Sequence, residues 1–256
     1  MTRSHEANVE KQFGPQASAY VASAVHASGE DLDALEEIAR REAPGKAIDL
    51  GTGGGHVAYR LARHAREVVA SDLSSDMLAA VAATAREKGL ANIATHAAAA
   101  EALPFEDESF DFLGCRFSAH HWHDFEAGLR EARRILAPGK TAVFIDAASP
   151  GPAPLDTHIQ AVELLRDPSH VRDYSAAEWL AALTRAGFQV QSIRTWQLRM
   201  DYPTWIARMR TPEDHARAIR SLQKAASRDV VEHFAIEADG SFLLDVLMIE
   251  AVAGGD

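Results

Sequence analysis

The segment that decides the fold of this 256-residue chain is Ala47-Ile48-Asp49-Leu50-Gly51-Thr52-Gly53-Gly54-Gly55. An apolar, strand-like run passes into a glycine-rich turn, and a helical pattern follows the turn. Glycine lets the backbone turn sharply and approach a ligand without a Cβ in the way. Free N–H groups at the start of the helix favour a negatively charged group. The segment therefore predicts a nucleotide-type site at the carboxyl ends of parallel strands.

Short β-prone runs alternate with helical periods on both sides of this turn, which is typical of a parallel sheet with helical crossovers. Five strands are predicted over residues 46–50, 67–72, 92–96, 110–115 and 141–146, and two late strands over 188–199 and 241–251. The insertion between the late strands, about 40 residues, is too long for a plain loop. We predict that it is helical.

The predicted organisation is one domain over residues 1–256. Residues 1–45 would form an N-terminal helical lid, 46–146 the cofactor-binding half, and 147–256 a substrate-side half with a helical insertion at about 200–240. The single cysteine, Cys115, excludes an internal disulfide framework.

The charge balance of the chain restricts the classes of partner that it can bind. The chain has 26 Lys and Arg against 37 Asp and Glu, a formal charge of −11, which is unsuited to binding a phosphate backbone. Its polar N-terminus has no apolar signal core, and no apolar stretch approaches the roughly 20 residues that span a bilayer. We expect a cytoplasmic protein without membrane insertion or nucleic-acid partner, and the sequence leaves the oligomeric state open.

The glycine pattern alone does not choose the cofactor. A dinucleotide frame that starts at Gly51 fails at His56, but one that starts at Gly53 is completed by Ala58, so NAD stays possible. Asp49 favours S-adenosylmethionine, because a carboxylate there would repel a pyrophosphate and balance a sulfonium and an ammonium group. Asp49 could equally bond backbone N–H groups in the turn.

Asp72 ends the second predicted strand, 17 residues beyond Gly55. A carboxylate at this position can accept hydrogen bonds from both hydroxyls of a ribose. The alternative role, a helix N-cap, is already offered by Ser74 and Ser75. Asp72 thus supports adenosine binding, which suits NAD and S-adenosylmethionine equally.

Four segments in order complete a resemblance. Residues 49–55, 71–78, 100–111 and 133–140 resemble the motifs of class I S-adenosylmethionine-dependent methyltransferases, and most closely those of the ubiquinone and menaquinone biosynthesis C-methyltransferase branch with its uncharacterised bacterial members. The resemblance implies an α/β fold with a doubly wound seven-stranded sheet of order 3-2-1-4-5-7-6, strand 7 antiparallel, and a helical cap. It implies S-adenosylmethionine as the cofactor.

The resemblance also implies a set of cofactor-binding residues: Asp49, Gly51, Thr52, Gly53, Gly55, Asp72, Leu73, Met77, Ala99, Ala100, Glu101, Arg116, Phe117 and Tyr20. One departure concerns the adenine. Family members often carry Gly-Asp where this chain has Ala98 and Ala99, so the carboxylate that would bond the adenine amino group is missing. Backbone groups of Ala99 and Ala100 are the expected substitutes.

The run His120-His121-Trp122-His123-Asp124 follows the fourth strand, where a methyl acceptor would lie. Adjacent histidines cannot easily share one ion, and Asp124 is a natural N-cap, so we predict no metal site. His121 is the candidate catalytic residue, as a proton acceptor or substrate contact, and an ordinary structural role is the alternative.

The candidate substrate-binding residues are Trp122, His170, Arg172, Tyr174 and Arg208. They combine aromatic surface with cationic and hydrogen-bonding groups, the mixture expected of a small-molecule pocket. Arginine would suit an anionic acceptor, because its planar fork holds a carboxylate or phosphate with two hydrogen bonds. The alternative is that these arginines pair with surface acids.

The predicted function is transfer of a methyl group from S-adenosylmethionine to a small molecule by direct displacement, which requires alignment and exclusion of water. The sequence leaves open whether carbon, nitrogen, oxygen or sulfur is methylated. Alternative functions are binding of the cofactor without methyl transfer, different chemistry on a modified form of this cofactor, and NAD-dependent oxidation or reduction.

Overall fold

A seven-stranded sheet runs through the computed structural model, which describes residues 4–13 and 29–255. The strands are β1 (Lys46–Leu50), β2 (Glu67–Asp72), β3 (Ile93–Ala97), β4 (Phe110–Arg116), β5 (Leu136–Ala147), β6 (Phe188–Met200) and β7 (Phe242–Ala253). Their order is β3-β2-β1-β4-β5-β7-β6, and β7 is antiparallel to both of its neighbours. The predicted topology is confirmed.

Helices cover both faces of the sheet. In chain order they are α1 (His5–Phe13), α2 (Glu30–Glu42), α3 (His56–Leu61), α4 (Ser75–Glu87), a 3₁₀ turn (Ala119–His121), α5 (Phe125–Ile135), α6 (Ala153–Arg166), α7 (Ala176–Ala186), α8 (Tyr202–Arg208), α9 (Glu213–Ala225) and α10 (Arg228–His233). Side chains of a strand alternate between its faces. Ile48 and Leu50 accordingly pack in the core cluster with α5 and α7, whereas Ala47 packs in the cluster with α2 and α3.

The predicted helix starts agree with the structure where a side chain caps the helix. Ser175 and Glu178 form both hydrogen bonds of a capping box at α7. Asp124 caps α5 by accepting a hydrogen bond of 2.9 Å from the Ala127 N–H. Such caps contribute about 1 kcal/mol each.

Some element bounds differ from the sequence-based prediction. The helix after the glycine turn covers His56–Leu61 rather than residues 55–64. Strand β5 begins at Leu136 rather than at residue 141, because Leu136 already pairs with Phe110 of β4. The register then shifts before the pair Phe112–Thr141. The Pro138-Gly139 turn predicted to precede the strand is a bulge inside it.

The insertion after β6 is helical, as predicted, and contains α8, α9 and α10. These helices pack with α6 around a third apolar cluster that includes Ile159, Trp205, Ile219, Phe234 and Phe242. Among the described residues, no helix is both long and apolar enough to cross a membrane.

Candidate active site

The carboxyl ends of β1, β2 and β4 open into a cavity of about 1060 Å³, called the first cavity below. Its wall contains most of the predicted cofactor-binding residues: Asp49, Gly51, Thr52, Gly53, Asp72, Leu73, Met77, Ala100, Glu101, Arg116 and Phe117. Tyr20 lies outside the described residues. Sequence segments far apart in the chain therefore meet at one edge of the sheet.

Gly55 and Ala99 are not in this wall, so their contact with the cofactor stays a prediction. Gly55 has a φ of 81°, and a Cβ there would lie 2.6 Å from Cζ of Tyr59. Position 55 therefore requires a glycine because the Tyr59 ring packs against it. The carbonyl of Ala99 accepts a hydrogen bond of 3.2 Å from the Ala102 N–H, and Ala98 lines the cavity instead.

Two further glycines of the turn, Gly51 and Gly53, have different surroundings. Gly51 has a φ of 71°, and a Cβ there would lie 1.8 Å from Oγ of Ser118, so the loop after β4 requires a glycine at this position. Gly53 has a φ of 49°, and no described protein atom lies within 4 Å of its ideal Cβ. Because Gly53 lines the first cavity, a side chain there would enter ligand space.

Asp49 is buried at the base of the turn. Its Oδ2 accepts hydrogen bonds from the Thr52 hydroxyl (2.5 Å) and the Ala58 N–H (2.9 Å). Burial raises the pKa of the Asp49 carboxyl to about 7. Asp49 thus holds the turn, and a cation in the cavity would stabilise its ionised form.

Asp72 reaches the glycine turn from the end of β2. Its Oδ2 accepts a hydrogen bond of 2.9 Å from the Gly53 N–H, and its Oδ1 accepts one of 2.9 Å from the Ser74 N–H. Burial raises the pKa of this carboxyl. Each carboxylate oxygen has a second lone pair, so Asp72 can still accept two further hydrogen bonds from a ligand.

Arg116, the last residue of β4, and Phe117, which follows it, form part of the wall. Arg116 is buried and forms an ion pair with Asp31 of α2. Phe117 has a φ of 51°, unusual for a bulky residue, and its N–H donates to the Ile145 carbonyl at 2.8 Å. Strained backbone of this kind is concentrated at functional sites.

A second cavity, of about 720 Å³, shares Phe13, Phe117 and His121 with the first. The rest of its wall consists of His120, Ala147, Glu163, Arg166, Asp167, Asp173, Leu198, Met200, Trp205, Arg208, Met209 and Leu244. Of the predicted substrate and catalytic residues, Arg208 and His121 are here. The acids at 163, 167 and 173 were missed, because no sequence motif distinguishes them from surface acids.

The adjacent histidines His120 and His121 differ in charge. Burial lowers the pKa of His120, but the charge of Asp146 and its hydrogen bond at 2.5 Å from Nδ1 outweigh that effect and raise the pKa to about 9. Burial and the charge of His120 lower the pKa of His121 to about 4. Nδ1 of His121 lies 3.1 Å from the Ser169 carbonyl, so Nδ1–H donates there and Nε2 keeps a free lone pair.

Trp122 lines the first cavity rather than the second. Its Nε1–H donates to Oγ of Ser118 at 3.1 Å, and its ring packs so closely on Gly128 of α5 that a Cβ there would lie 2.3 Å from Cε3. Trp122 is therefore buried by packing of the loop against α5.

Arg172 lies in neither wall, so its predicted contact with the substrate has no support in this geometry. Its guanidinium donates to Glu178 at 3.0 Å and to Asp156 at 3.3 Å. These carboxylates belong to α7 and α6, so the arginine connects two helices. The alternative interpretation, pairing with acids, is the one that the structure supports for Arg172.

His170 and Tyr174 also lie outside both walls. Nε2 of His170 is 3.0 Å from Oε1 of Gln160. The ring of Tyr174 stacks on Phe125 with centroids 3.8 Å apart. Both side chains are therefore occupied by packing within the protein, and their predicted substrate contacts have no support in this geometry.

Helix α1 covers the junction of the two cavities. Val9 lines the first cavity and Phe13 lines both. Nε2 of His5 is 2.7 Å from the His121 carbonyl, and the Gln12 side chain donates to the Met209 carbonyl at 2.9 Å. Among the described residues, no group of three His, Cys, Asp or Glu side chains is arranged to hold a metal ion.

Comparison with known proteins identifies the class that this fold and site define. A family model described as a methyltransferase domain matches residues 48–144. The chain is 33% identical to YcgJ of Bacillus subtilis (strain 168), an uncharacterized methyltransferase, over 95% of this chain and 98% of YcgJ. The chain therefore belongs to the class I S-adenosylmethionine-dependent methyltransferases, and S-adenosylmethionine is its cofactor.

Particular relatives support this assignment. YafE of Escherichia coli (strain K12) is 44% identical over 201 residues, which cover 78% of this chain and 97% of YafE. The crystal structure of YcgJ has a TM-score of 0.85 at 31% identity, covering 88% of this chain and 99% of YcgJ. A demethylmenaquinone methyltransferase of Thermus thermophilus is 36% identical over 116 residues, or 44% of this chain. The predicted family resemblance is confirmed.

Proposed function

We propose that this methyltransferase methylates a small molecule that binds in the second cavity. The observation that carries the proposal is the junction between the cavities, where Phe13, Phe117 and His121 belong to both walls. A cofactor in the first cavity and an acceptor in the second would meet there. The second cavity combines apolar side chains with a few polar and charged groups, the mixture expected of a small-molecule site.

The residues of the first cavity fit the parts of the cofactor. Asp72 has two lone pairs for the ribose hydroxyls, and Asp49 provides negative charge near the glycine turn. Backbone groups near Ala98 and Ala100 border the space where an adenine edge would lie. We assign cofactor binding to these residues and to Gly53.

Bound S-adenosylmethionine supplies a methyl group activated by a sulfonium sulfur. The protein then has to align the acceptor with that methyl group and exclude water. Helix α1 and the α8–α10 insertion provide the cover. Where the accepting group carries a proton, Nε2 of His121 is the candidate base, because His121 lines both cavities and its Nδ1 lies 3.1 Å from the Ser169 carbonyl.

Calorimetry with S-adenosylhomocysteine and NAD tests the cofactor part of the proposal. We expect micromolar affinity for S-adenosylhomocysteine, about −7 to −8 kcal/mol, and no binding of NAD. Asp72→Ala should weaken that affinity by about 2–4 kcal/mol, because two charge-assisted hydrogen bonds are lost. Asp201→Ala is the control, since it removes an exposed N-cap carboxylate of α8. Unchanged affinity in Asp72→Ala would show that Asp72 serves only the turn.

Methyl-labelled S-adenosylmethionine tests the acceptor part. The protein is incubated with separated small-molecule, protein and nucleic-acid fractions of a cell extract. We expect label in the small-molecule fraction, and His121→Ala should transfer less label while it binds S-adenosylhomocysteine like the parent. Label in macromolecules, or label in no fraction although the cofactor binds, would contradict the proposal.

A further inference from the structure

The wall of the second cavity combines an apolar side with an acidic one. Leu198, Met200, Trp205 and Leu244 provide the apolar surface, and Glu163, Asp167 and Asp173 provide three carboxyl groups. An acidic cluster alone does not define a binding site, so the partners of each carboxyl group decide its meaning.

Two of the three carboxyl groups have partners within the protein. Oε2 of Glu163 pairs with the Arg166 guanidinium at 3.0 Å. Oδ1 of Asp167 accepts hydrogen bonds from the Ser169 N–H at 2.8 Å and from the Ser169 hydroxyl at 2.6 Å. These two acids are accounted for by their roles in holding the segment after α6.

Asp173 differs from them. It is 1% exposed, and its Oδ2 is buried without a hydrogen-bond partner among the described residues. Gln160 holds its backbone on both sides, because the Asp173 N–H donates to Oε1 at 3.1 Å and Nε2 donates to the Asp173 carbonyl at 2.7 Å. A buried unpartnered carboxyl group is costly, and one that is held rigidly in a cavity wall is suited to a ligand.

The basic groups of this region do not support the anionic acceptor expected from the arginines. Arg172 lies outside both cavities. Arg166 is engaged by Glu163 and donates to the Trp205 carbonyl at 3.2 Å. His120 is engaged by Asp146. Arg208 is in the wall, which also contains the three acids Glu163, Asp167 and Asp173.

We propose that Asp173 anchors the methyl acceptor through a basic amine, and that the acceptor is a small apolar molecule carrying a primary or secondary amine. This inference rests on the proposed placement of the acceptor in the second cavity. An ammonium group supplies both the hydrogen-bond donor and the positive charge that Oδ2 lacks, and charge-assisted hydrogen bonds are about twice as strong as neutral ones. The apolar wall would hold the rest of the molecule.

The protonation state of Asp173 gives this proposal a distinctive signature. Burial, together with the charges of Glu163 and Asp146, raises the pKa of its carboxyl to about 8, and the charges of His120 and Arg166 partly oppose that rise. Near neutral pH the carboxyl is therefore largely protonated without a ligand. An ammonium partner favours the ionised form, so binding should release up to one proton.

The test uses the complex with S-adenosylhomocysteine and three probes of similar shape: 2-phenylethylamine, 2-phenylethanol and phenylacetate. Calorimetry at pH 7 in buffers of different ionisation enthalpy measures affinity and proton release together. We expect the amine to bind at least tenfold more tightly than the alcohol, with proton release, and phenylacetate to bind most weakly.

Two variants assign the effect to one carboxyl group. Asp173→Asn should weaken amine binding at least tenfold and abolish the proton release, with unchanged affinity for S-adenosylhomocysteine. Asp107→Asn is the control, because Asp107 is an exposed carboxylate that pairs with Arg134 outside both cavities and should behave like the parent. The parent's preference among the three probes needs no variant and stands even if Asp173→Asn fails to fold.

The proposal is overturned if the amine fails to bind at millimolar concentration, if the alcohol or phenylacetate binds as well, or if Asp173→Asn binds the amine like the parent. In each case normal binding of S-adenosylhomocysteine would leave the cofactor site intact. Loss of S-adenosylhomocysteine binding in the parent would instead contradict the proposed function itself.

Discussion

At the scale of single residues, the three positive-φ glycines of the turn serve three purposes. Gly51 allows the approach of Ser118, and Gly55 allows the packing of Tyr59. Only Gly53 has open space beside its Cα that belongs to the first cavity. A substitution series on these glycines would therefore separate folding from ligand binding.

Gly53→Ala and Gly89→Ala form a matched pair for this purpose. Both glycines have positive φ, 49° and 71°, and neither has a described protein atom within 4 Å of its ideal Cβ. Alanine should strain both turns by about 1–2 kcal/mol. We expect Gly53→Ala to weaken S-adenosylhomocysteine binding at least tenfold, measured by calorimetry, because its methyl group enters the cavity.

Gly89 ends α4 away from both cavities, so Gly89→Ala should bind S-adenosylhomocysteine like the parent while it loses similar stability. Thermal unfolding measures that stability. Equal affinities in the two variants would mean that the open space beside Gly53 is not occupied by the cofactor.

At the scale of elements, α1 joins the two halves of the site. It contacts the loop after β4 through His5 and the insertion through Gln12. A helix of 9 residues is marginal by itself, so these tertiary contacts stabilise it. The proposal that α1 acts as a lid depends on them.

Val9→Asp tests the contribution of α1. Val9 is 8% exposed in the wall of the first cavity, and a carboxylate there would be buried without a partner or force the helix away. We expect at least a tenfold loss of S-adenosylhomocysteine affinity by calorimetry, together with faster proteolysis before residue 30.

The control is Glu10→Ala, since Glu10 is the exposed neighbour on the same helix. It should change neither the affinity nor the proteolysis rate. If Val9→Asp keeps the parent's affinity, α1 is a passive neighbour of the cavity.

At the scale of the whole molecule, buried acids are concentrated at the carboxyl edge of the sheet. Asp49, Asp72, Asp146 and Asp173 are all buried or nearly so there. Among them Asp146 has a cationic partner, His120. The stability of the molecule should consequently depend on the pH range in which that pair is charged.

His120→Gln should reveal this dependence. The pKa of His120 is about 9 in the folded protein, against about 6.5 for a histidine in an unfolded chain. A raised folded pKa means that its contribution is fully present below pH 6.5 and is lost as the pH rises through 9. We expect the free energy of unfolding of the parent to exceed that of the variant by up to about 3 kcal/mol at pH 6, and by little at pH 10.

Urea unfolding of both proteins across this range measures the difference, and using the difference cancels the titration of other groups that the two proteins share. A gap that is constant with pH would show that His120 is neutral in the folded state and that its bond to Asp146 is an ordinary one.

The four sequence motifs, through their resemblance to a known family, were enough to predict the family and the sheet order, and most of the predicted cofactor-binding residues line the first cavity. Asp49, Gly51 and Gly53 lie within one strand and its following turn, and Asp72 ends the next strand. Their positions therefore depend on local geometry and on parallel pairing, both of which leave a pattern in the sequence. Gly55 is the instructive exception, since its positive φ serves a tyrosine ring that only the fold brings near it.

Only the tertiary structure determines which residues line the cavity proposed for the acceptor. Arg172 and Asp173 are neighbours in the chain, yet the arginine pairs with α6 and α7 while the aspartate lines the second cavity. The segment has no regular secondary structure, and hydrogen bonds to residues outside it determine its orientation. The Asp173 N–H donates to Oε1 of Gln160, and the Val171 N–H donates to the His120 carbonyl at 2.9 Å. Because this segment has neither a helical nor a strand period, its sequence does not indicate which side chain faces the interior.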